Sequence, residues 1–155
     1  MWQGSVIFIS ITPDGGGQMS AVDEAKAVAG QGVEGDRYFL KQGTFTDNPN
    51  TTGRQVTLVE LEAIQALERE DGITIPAKDV RRNIVTRDVP LNHLVGREFR
   101  VGDVTLRGVR LNEPCNHLAG LTDDKVKQGL VHRGGLRADI VSDGVIRVGD
   151  VIEAV

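Results

Sequence analysis

The sequence predicts a mainly β fold with a few helices, and two observations support this prediction. Glycine accounts for 19 of the 155 residues, against an average usage of about 7%, and surplus glycine without proline-rich repeats favours tight turns between short strands. Runs of β-branched residues separated by glycine-containing turns also recur through the second half of the chain. Because domains cluster at about 100–150 residues, we expect residues 1–155 to form a single domain.

The N-terminal third contains one clear strand and one ambiguous segment. Residues 4–12 are rich in β-branched residues and are followed by Pro13 and a run of glycines, which predicts a strand that ends in a turn. Residues 19–29 are rich in alanine, and their composition is compatible with a helix or with an extended segment recruited by tertiary contacts. Residues 41–53 are polar and are expected to form a mobile loop.

The clearest helix is predicted over residues 56–70. Thr57 followed three residues later by Glu60 fits a capping box, in which the two side chains satisfy free backbone amides at the start of a helix. Leucine and isoleucine then recur at helical spacing, and Gly72 ends the run. Residues 122–129 form a weaker candidate helix, with acidic residues in the first turn and lysines later.

The C-terminal half is typical of hairpins. Residues 99–101 and 104–109 flank the two-residue turn Gly102-Asp103. Residues 138–141 and 145–148 flank a second glycine-containing turn, and the last residues form one further strand. Strands at this spacing, with two helices between them, predict a compact barrel-like architecture.

Composition narrows the classes of function. The net charge of -4 argues against nucleic acid as a partner. No segment approaches the roughly 20 apolar residues of a membrane span, and no basic, apolar signal pattern opens the chain, so we expect a cytoplasmic protein without a membrane partner. Thirteen arginines against five lysines indicate either binding of carboxylates or phosphates, or a genomic bias towards arginine.

Cysteine and histidine are scarce. A single cysteine excludes an internal disulfide, an all-cysteine zinc site and an iron–sulfur cluster held by this chain alone. The three histidines are too widely spaced for the sequence to predict a metal triad.

Two polar motifs in the first half are candidates for turns or binding sites. Residues 30–35 match the pattern G-x-G-x-x-G, but no helix is predicted after them, so a turn that sets Asp36 and Arg37 against each other or against a ligand is favoured over a dinucleotide site. Arg82 and Asn83 precede a β-branched run. They fit either a solvated strand start, with the asparagine holding a turn, or a clamp for an anion and a heterocycle.

The segment around Cys115 is the most informative stretch of the sequence. Pro114 fixes the backbone before the thiol, and His117 follows two residues later. These polar neighbours favour an exposed thiol, and a nearby cation would favour the reactive thiolate. The alternative is a buried, inert cysteine. Further along, Arg133 and Arg137 flank a glycine-hinged turn that either grips an anion or is a surface loop.

Taken together and in order, these segments resemble the MOSC domain, the family named after the C-terminal domain of molybdenum-cofactor sulfurase. The similarity covers nearly the whole chain, and no single segment is specific without the others. The segments that carry it are residues 32–38, 54–60, 82–85, 94–96, 102–104, 114–115, 133–137 and 146–150.

The resemblance implies a MOSC-type β-barrel-like fold and binding of the molybdenum cofactor, molybdopterin. Cys115 would be the catalytic residue, either as a molybdenum ligand or as the carrier of a persulfide. The residues expected to bind the cofactor are Arg82, Asn83, Asp36, Arg37, Arg133, Arg137 and His117. Asp36 and Arg37 match the family's Gly-Asp-Arg turn, for which an architectural role is the alternative, and residues 19–29 would be largely strand.

Departures from larger relatives shape the functional hypotheses. Catalytic relatives carry additional segments, and no desulfurase module with its pyridoxal-phosphate lysine is present, so pyridoxal phosphate is not expected and electrons or sulfur would come from an electron-donor protein or a desulfurase. Relatives that are reductases often have proline at the position of Arg82. The leading hypothesis is oxo transfer or N-oxide-type reduction with Cys115 as metal ligand. The alternatives are a sulfur carrier and a non-catalytic cofactor-binding domain, and the sequence does not give the oligomeric state.

Overall fold

A computed structural model describes residues 1–13, 17–40, 52–113 and 128–155. The strands are β1 (Gln3–Ile11), β2 (Ser20–Val22), β3 (Glu24–Val28), β4 (Gly32–Val33), β5 (Val56–Glu60), β6 (Ile84–Arg87), β7 (Glu98–Val101), β8 (Val104–Leu111), β9 (Leu136–Ile140), β10 (Gly144–Arg147) and β11 (Val151–Ala154). The helix α1 spans Leu61–Asp71, and short 3-10 helices span Ala77–Val80 and Leu91–Leu94. The predicted mainly β fold is confirmed.

Seven strands close into a barrel in the order β1, β11, β7, β8, β9, β5, β6 and back to β1. Neighbours are antiparallel except β5 and β6, which run parallel because α1 carries the chain back between them. Closure satisfies the backbone of every barrel strand through its two neighbours. A smaller sheet of β10, β3 and β4 and the short strand β2 complete the described sheets.

Two apolar cores hold these elements together. The barrel interior is filled by inward-facing residues, among them Phe99, Leu106 and Leu136, which are fully buried. A second core lies between α1 and the outer face of β5 and β6, where Leu67 packs with Val59. Strand β5 therefore contributes side chains to both cores. Because both of its faces are buried, β5 holds a fixed position in the barrel, whose outer surface carries the polar residues described below.

The predicted helix over residues 56–70 is wrong in its first turn. Residues 56–60 form strand β5, and the helix begins only at Leu61 without a side-chain cap. Thr57 bonds to Asn83 instead of capping a helix. Barrel closure prevails over the local capping pattern because β5 buries apolar side chains on both faces. The predicted end is confirmed, since Gly72 takes a left-handed conformation with φ 67°.

Other predictions of local structure had mixed outcomes. Residues 19–29 are extended and form β2 and β3, so the strand alternative is correct and the helix alternative is wrong. The hairpin of β7 and β8 around Gly102-Asp103 is confirmed. The second hairpin is wrong, because β9 pairs with β8 and β5 whereas β10 pairs with β3. Burial of Ile146 opposite Ala25 favours this distant pairing over the local one.

Several predictions fall outside the described residues. They are the glycine run after Pro13, nearly all of the loop over residues 41–53 and nearly all of the helix over residues 122–129. Among the described residues, no helix is long and apolar enough to cross a membrane.

Candidate functional site

The turn after β4 places Asp36 and Arg37 against each other, as the sequence predicts. The Asp36 carboxylate is fully buried, and its Oδ1 accepts hydrogen bonds from the Thr12 backbone N–H at 3.1 Å and from Nη1 of Arg37 at 3.2 Å. A buried ion pair with an added backbone donor is stable only in well-fixed geometry. The pair therefore anchors the turn to the end of β1.

The Arg37 guanidinium also connects this turn to the segment before β6 and covers the ring of the next residue in the turn. Its Nη2 donates to the Arg81 carbonyl oxygen at 3.3 Å, and its Cζ lies 4.5 Å from the centre of the Tyr38 ring. The second contact is a cation–π interaction that orients the tyrosine. Arg37 consequently positions its neighbours rather than presenting an open face to solvent, since only 5% of its surface is exposed.

Arg82 is a buried cation that binds backbone oxygens. Its Nε donates to the Gly134 carbonyl at 2.9 Å and its Nη2 donates to the Asn112 carbonyl at 3.1 Å. The residue thereby joins the start of β6 to the end of β8 and to the glycine turn before β9. Asn112 precedes Cys115 by three positions in the sequence, so Arg82 holds the described end of the segment that leads to the thiol.

Asn83 is fully buried, and its side chain is committed to the barrel. Its Oδ1 accepts hydrogen bonds from the backbone N–H of Thr57 at 3.0 Å and from the Thr57 hydroxyl at 3.1 Å, while its Nδ2 donates to the Ser10 carbonyl at 3.2 Å. These contacts join β1, β5 and the start of β6. Asn83 therefore supports the surface on which neighbouring polar groups lie, and a direct role in cofactor binding stays a prediction.

Cys115 and His117 lie outside the described residues. The last described residue before them, Glu113, is tied to the glycine turn, because its Oε1 accepts from the His132 backbone N–H at 2.7 Å and its Oε2 lies 2.9 Å from Nδ1 of His132.

The two arginines of the glycine turn separate in the structure. Arg133 points to α1, where its guanidinium binds the Glu70 carboxylate and the Gly129 carbonyl. Arg137 lies on the outer face of β9 and donates from Nη1 to the Gly53 carbonyl at 3.3 Å and to the Tyr38 hydroxyl at 3.4 Å. The predicted anion grip therefore divides, with Arg133 neutralised by a carboxylate and Arg137 facing other cations.

Arg137 belongs to an arginine cluster, formed by Arg54, Arg110 and Arg137. A bulge in β8 places Arg110 directly opposite Arg137 of β9. The Arg110 guanidinium lies over Gly53, where a Cβ atom would come within 2.5 Å of its Nη1. Gly53 thus touches both guanidiniums, and Arg54 is the next residue in the chain.

The arginine cluster has unsatisfied positive charge. Within the described part of the chain, none of its members forms a salt bridge, and Nη1 of Arg54 is buried without a hydrogen-bond partner. The nearby carboxylate of Asp139 accepts from the Gly53 backbone N–H at 2.8 Å. Among the described residues, three guanidiniums against one carboxylate leave a cationic surface, and the Arg110 side chain is exposed to solvent.

Two pKa shifts record this electrostatic environment. Partial burial lowers the pKa of Arg110 below its ordinary value, and the positive charges of Arg137 and Arg54 lower it further. Burial of Tyr38 acts to raise its pKa, but the adjacent charges of Arg37 and Arg137 act in the opposite direction and bring the pKa below 10.0. In both cases the effect of the neighbouring guanidiniums reflects the positive charge gathered at the cluster.

Sequence reasoning identified Arg137 but missed Arg54, Arg110 and Tyr38 as members of one site. The excess of arginine over lysine was the available signal. The strand register and the bulge that bring these residues together were not readable from local sequence. No group of three or more potential metal-ligating side chains occurs among the described residues.

A separate cleft of about 630 Å³ lies away from these residues. It includes Trp2, His93 and Arg97 and none of the arginine cluster. Its lining also includes Glu98 and Val155.

Comparisons with known proteins place the fold in a family. A model of the MOSC domain matches residues 34–153. The structure is similar to the YuaD protein of Bacillus subtilis, with a TM-score of 0.83, 18% identity and coverage of 99% of this chain and 97% of that one. It is also similar to YiiM of Geobacillus stearothermophilus (TM-score 0.74, 15% identity, coverage 98% and 75%) and to YiiM of Escherichia coli (TM-score 0.66, 16% identity, coverage 97% and 69%). At these identities the solved structures show a shared fold. Comparison with curated protein sequences gives no match.

Proposed function

The chain belongs to the MOSC domain family, and from this premise we propose that it binds the molybdenum cofactor. The arginine cluster would hold the cofactor's phosphate, and Cys115 would bind molybdenum. The family is associated with this cofactor. The leading function is oxo transfer or N-oxide-type reduction.

The buried and unpartnered Nη1 of Arg54 is the observation that carries this proposal. A buried donor without an acceptor is costly, and such a group in a native site calls for an absent ion or ligand. Arg110 and Arg137 face each other across β8 and β9, and like charges at directly opposed positions destabilise a sheet. A phosphate fits both features. One guanidinium can donate two parallel hydrogen bonds to phosphate oxygens, and the negative charge of the phosphate offsets the repulsion between Arg110 and Arg137.

The other polar residues fix the backbone segments next to the site. Arg82 fixes the Asn112 carbonyl, and Asp36 with Arg37 fixes the turn that carries Tyr38. A thiolate is a soft ligand suited to a heavier metal, and Cys115 is the chain's only cysteine. When bound, the cofactor would supply the oxo-transfer or N–O-reducing chemistry, with electrons from an external donor protein.

Cofactor content is the direct test of the cluster. The protein is purified from a host competent in cofactor synthesis, and bound pterin and molybdenum are measured for the wild type and for Arg110→Gln. Loss of a charge-assisted hydrogen bond costs about 1.5–3 kcal/mol, so we expect pterin affinity to fall roughly 10- to 100-fold. Arg100→Gln is the matched control, because it removes a guanidinium that pairs with Glu153 on the barrel. Equal pterin content in wild type and Arg110→Gln would contradict the proposal.

A second measurement separates the two roles of Cys115. If Cys115 is the metal ligand, Cys115→Ala loses molybdenum while the arginine cluster still retains pterin. If it is a sulfur carrier, mass spectrometry of the wild type after incubation with a desulfurase and cysteine shows the gain of one sulfur atom, absent in Cys115→Ala. A variant that keeps all its molybdenum rules out the ligand role.

A further inference from the structure

Tyr38 is the only tyrosine of the chain and is 8% exposed. The Arg37 guanidinium covers its ring, and its hydroxyl oxygen accepts a hydrogen bond from Nη1 of Arg137. The Tyr38 hydroxyl therefore contacts the arginine cluster, while the ring is buried. No hydrogen-bond acceptor for the phenolic hydrogen occurs within the described part of the chain.

A phenol supplies one hydrogen-bond donor in addition to its acceptor capacity. Arg137 already donates to the Tyr38 hydroxyl oxygen, so among the described residues the hydroxyl hydrogen has no acceptor, and it lies beside an arginine that stands opposite Arg110 in the sheet. Arg137 connects the two groups, because it bonds to the Tyr38 hydroxyl and shares Gly53 with the Arg110 guanidinium. A neutral donor thus lies next to the cationic donors where the register brings β8 and β9 together.

We propose that Tyr38 is a specificity-determining residue of this site, and that its hydroxyl donates a hydrogen bond to a bound tetrahedral oxyanion of the phosphate class. The inference rests on the proposed function in taking the arginine cluster as the anion-binding site. A protonated phenol donates to the anion, whereas a phenolate repels it. Affinity for the oxyanion therefore depends on the protonation state of Tyr38 and also on the presence of its hydroxyl group, and the second dependence is one that a purely arginine-built site would not show.

The sign of this dependence follows from linkage. In the ligand-free protein, burial acts to raise the Tyr38 pKa but the guanidiniums of Arg37 and Arg137 bring it below 10.0, so the phenol is a donor at neutral pH and ionises earlier than an ordinary tyrosine on titration with base. A bound anion that accepts the phenolic hydrogen raises this pKa. By reciprocity, ionisation of Tyr38 weakens anion binding by the same factor.

The test uses inorganic phosphate as the probe and the tyrosinate absorbance as the readout. Because the chain contains one tyrosine, the absorbance change with pH reports Tyr38 alone. We expect the titration midpoint to lie below 10.0 without phosphate and to rise by about half a unit or more at saturation, which corresponds to at least a roughly threefold loss of affinity on ionisation. Phosphate affinity at neutral pH is measured by calorimetry.

Tyr38→Phe isolates the hydroxyl, because it keeps the ring under Arg37. A neutral hydrogen bond is worth about 0.5–1.5 kcal/mol, so we expect phosphate affinity to fall roughly 2- to 12-fold. The matched control is Thr86→Val, which removes a buried hydroxyl that bonds to the Val59 carbonyl, and this variant should bind phosphate as the wild type does. A Coulombic effect alone would move the titration midpoint but leave the affinity of Tyr38→Phe unchanged.

Two outcomes overturn the inference: Tyr38→Phe binds phosphate as tightly as the wild type, or the wild type binds no phosphate. Neither outcome depends on molybdenum or on Cys115. A third outcome separates the two proposals. If phosphate binds and raises the Tyr38 titration midpoint, and Tyr38→Phe binds it more weakly, but the protein retains no cofactor from a host that makes it, the proposed function is wrong and the oxyanion site is supported.

Discussion

Replacement of Asn83 by alanine tests whether its main role is to hold the barrel. The side chain accepts two hydrogen bonds from Thr57 and donates one to the Ser10 carbonyl, and all three residues are buried. In Asn83→Ala the backbone N–H of Thr57 and the carbonyl of Ser10 lose their side-chain partner. Leaving a buried polar group unsatisfied costs about 1–3 kcal/mol, so the two groups together predict a loss of roughly 2–6 kcal/mol in the free energy of unfolding.

Urea denaturation of ligand-free protein measures this loss. The matched control is Asn92→Ala, because Asn92 is an exposed asparagine whose Nδ2 donates to the His132 carbonyl at 2.7 Å. Water replaces that contact, so we expect the control to lose less than about 1 kcal/mol. The slope of the free energy against urea should be unchanged in both variants. If Asn83→Ala is no less stable than Asn92→Ala, the structural role is refuted, and cofactor binding becomes the better explanation for this asparagine.

Three further changes test neighbouring parts of the structure. Asp36→Asn leaves the buried Arg37 guanidinium without its anionic partner, so we expect a loss of about 3–5 kcal/mol by urea denaturation, whereas an unchanged midpoint would contradict the buried ion pair. Burial raises the pKa of Glu60 above 4.5, so the free energy of unfolding of the wild type falls as pH rises from 4.5 through the raised pKa. Glu60→Gln should remove this dependence on pH and be more stable than the wild type at neutral pH, and thermal unfolding at acid and neutral pH measures both effects. Arg133→Gln should change phosphate affinity by less than about twofold because Glu70 already neutralises that guanidinium, and a loss as large as that of Arg110→Gln in calorimetry would place Arg133 in the anion site.

The sequence predicted the features that depend on near neighbours in the chain. Asp36 and Arg37 are adjacent, so their mutual contact required only a turn. The hairpin of β7 and β8 needed only two strands and Gly102-Asp103. In each case the interacting groups lie within a few residues, and local backbone preferences were sufficient to bring them together.

Local sequence was a weaker guide where contacts between distant segments decided the structure. Thr57 and Glu60 match a capping box, yet burial of β5 between two cores makes this stretch a strand. Arg82 and Asn83 were recognised as unusual polar residues, but their partners lie on β1, β5 and the segments around β8 and β9. A sequence pattern identifies such residues without distinguishing a ligand from a backbone carbonyl as the group they bind.

The arginine cluster shows why the site itself was the hardest feature to predict. A register shift after Gly108 leaves Arg110 opposite Arg137, and a simple ladder without this bulge would place Val109 there. The bulge therefore creates a close pair of like charges, an arrangement that lowers the stability of the ligand-free sheet. An anion that binds the folded protein recovers this loss, because its binding free energy adds to the free energy of unfolding. The physical cost of the bulge and the unpartnered donor of Arg54 would thus have one common explanation in the oxyanion binding that we propose for this face of the barrel.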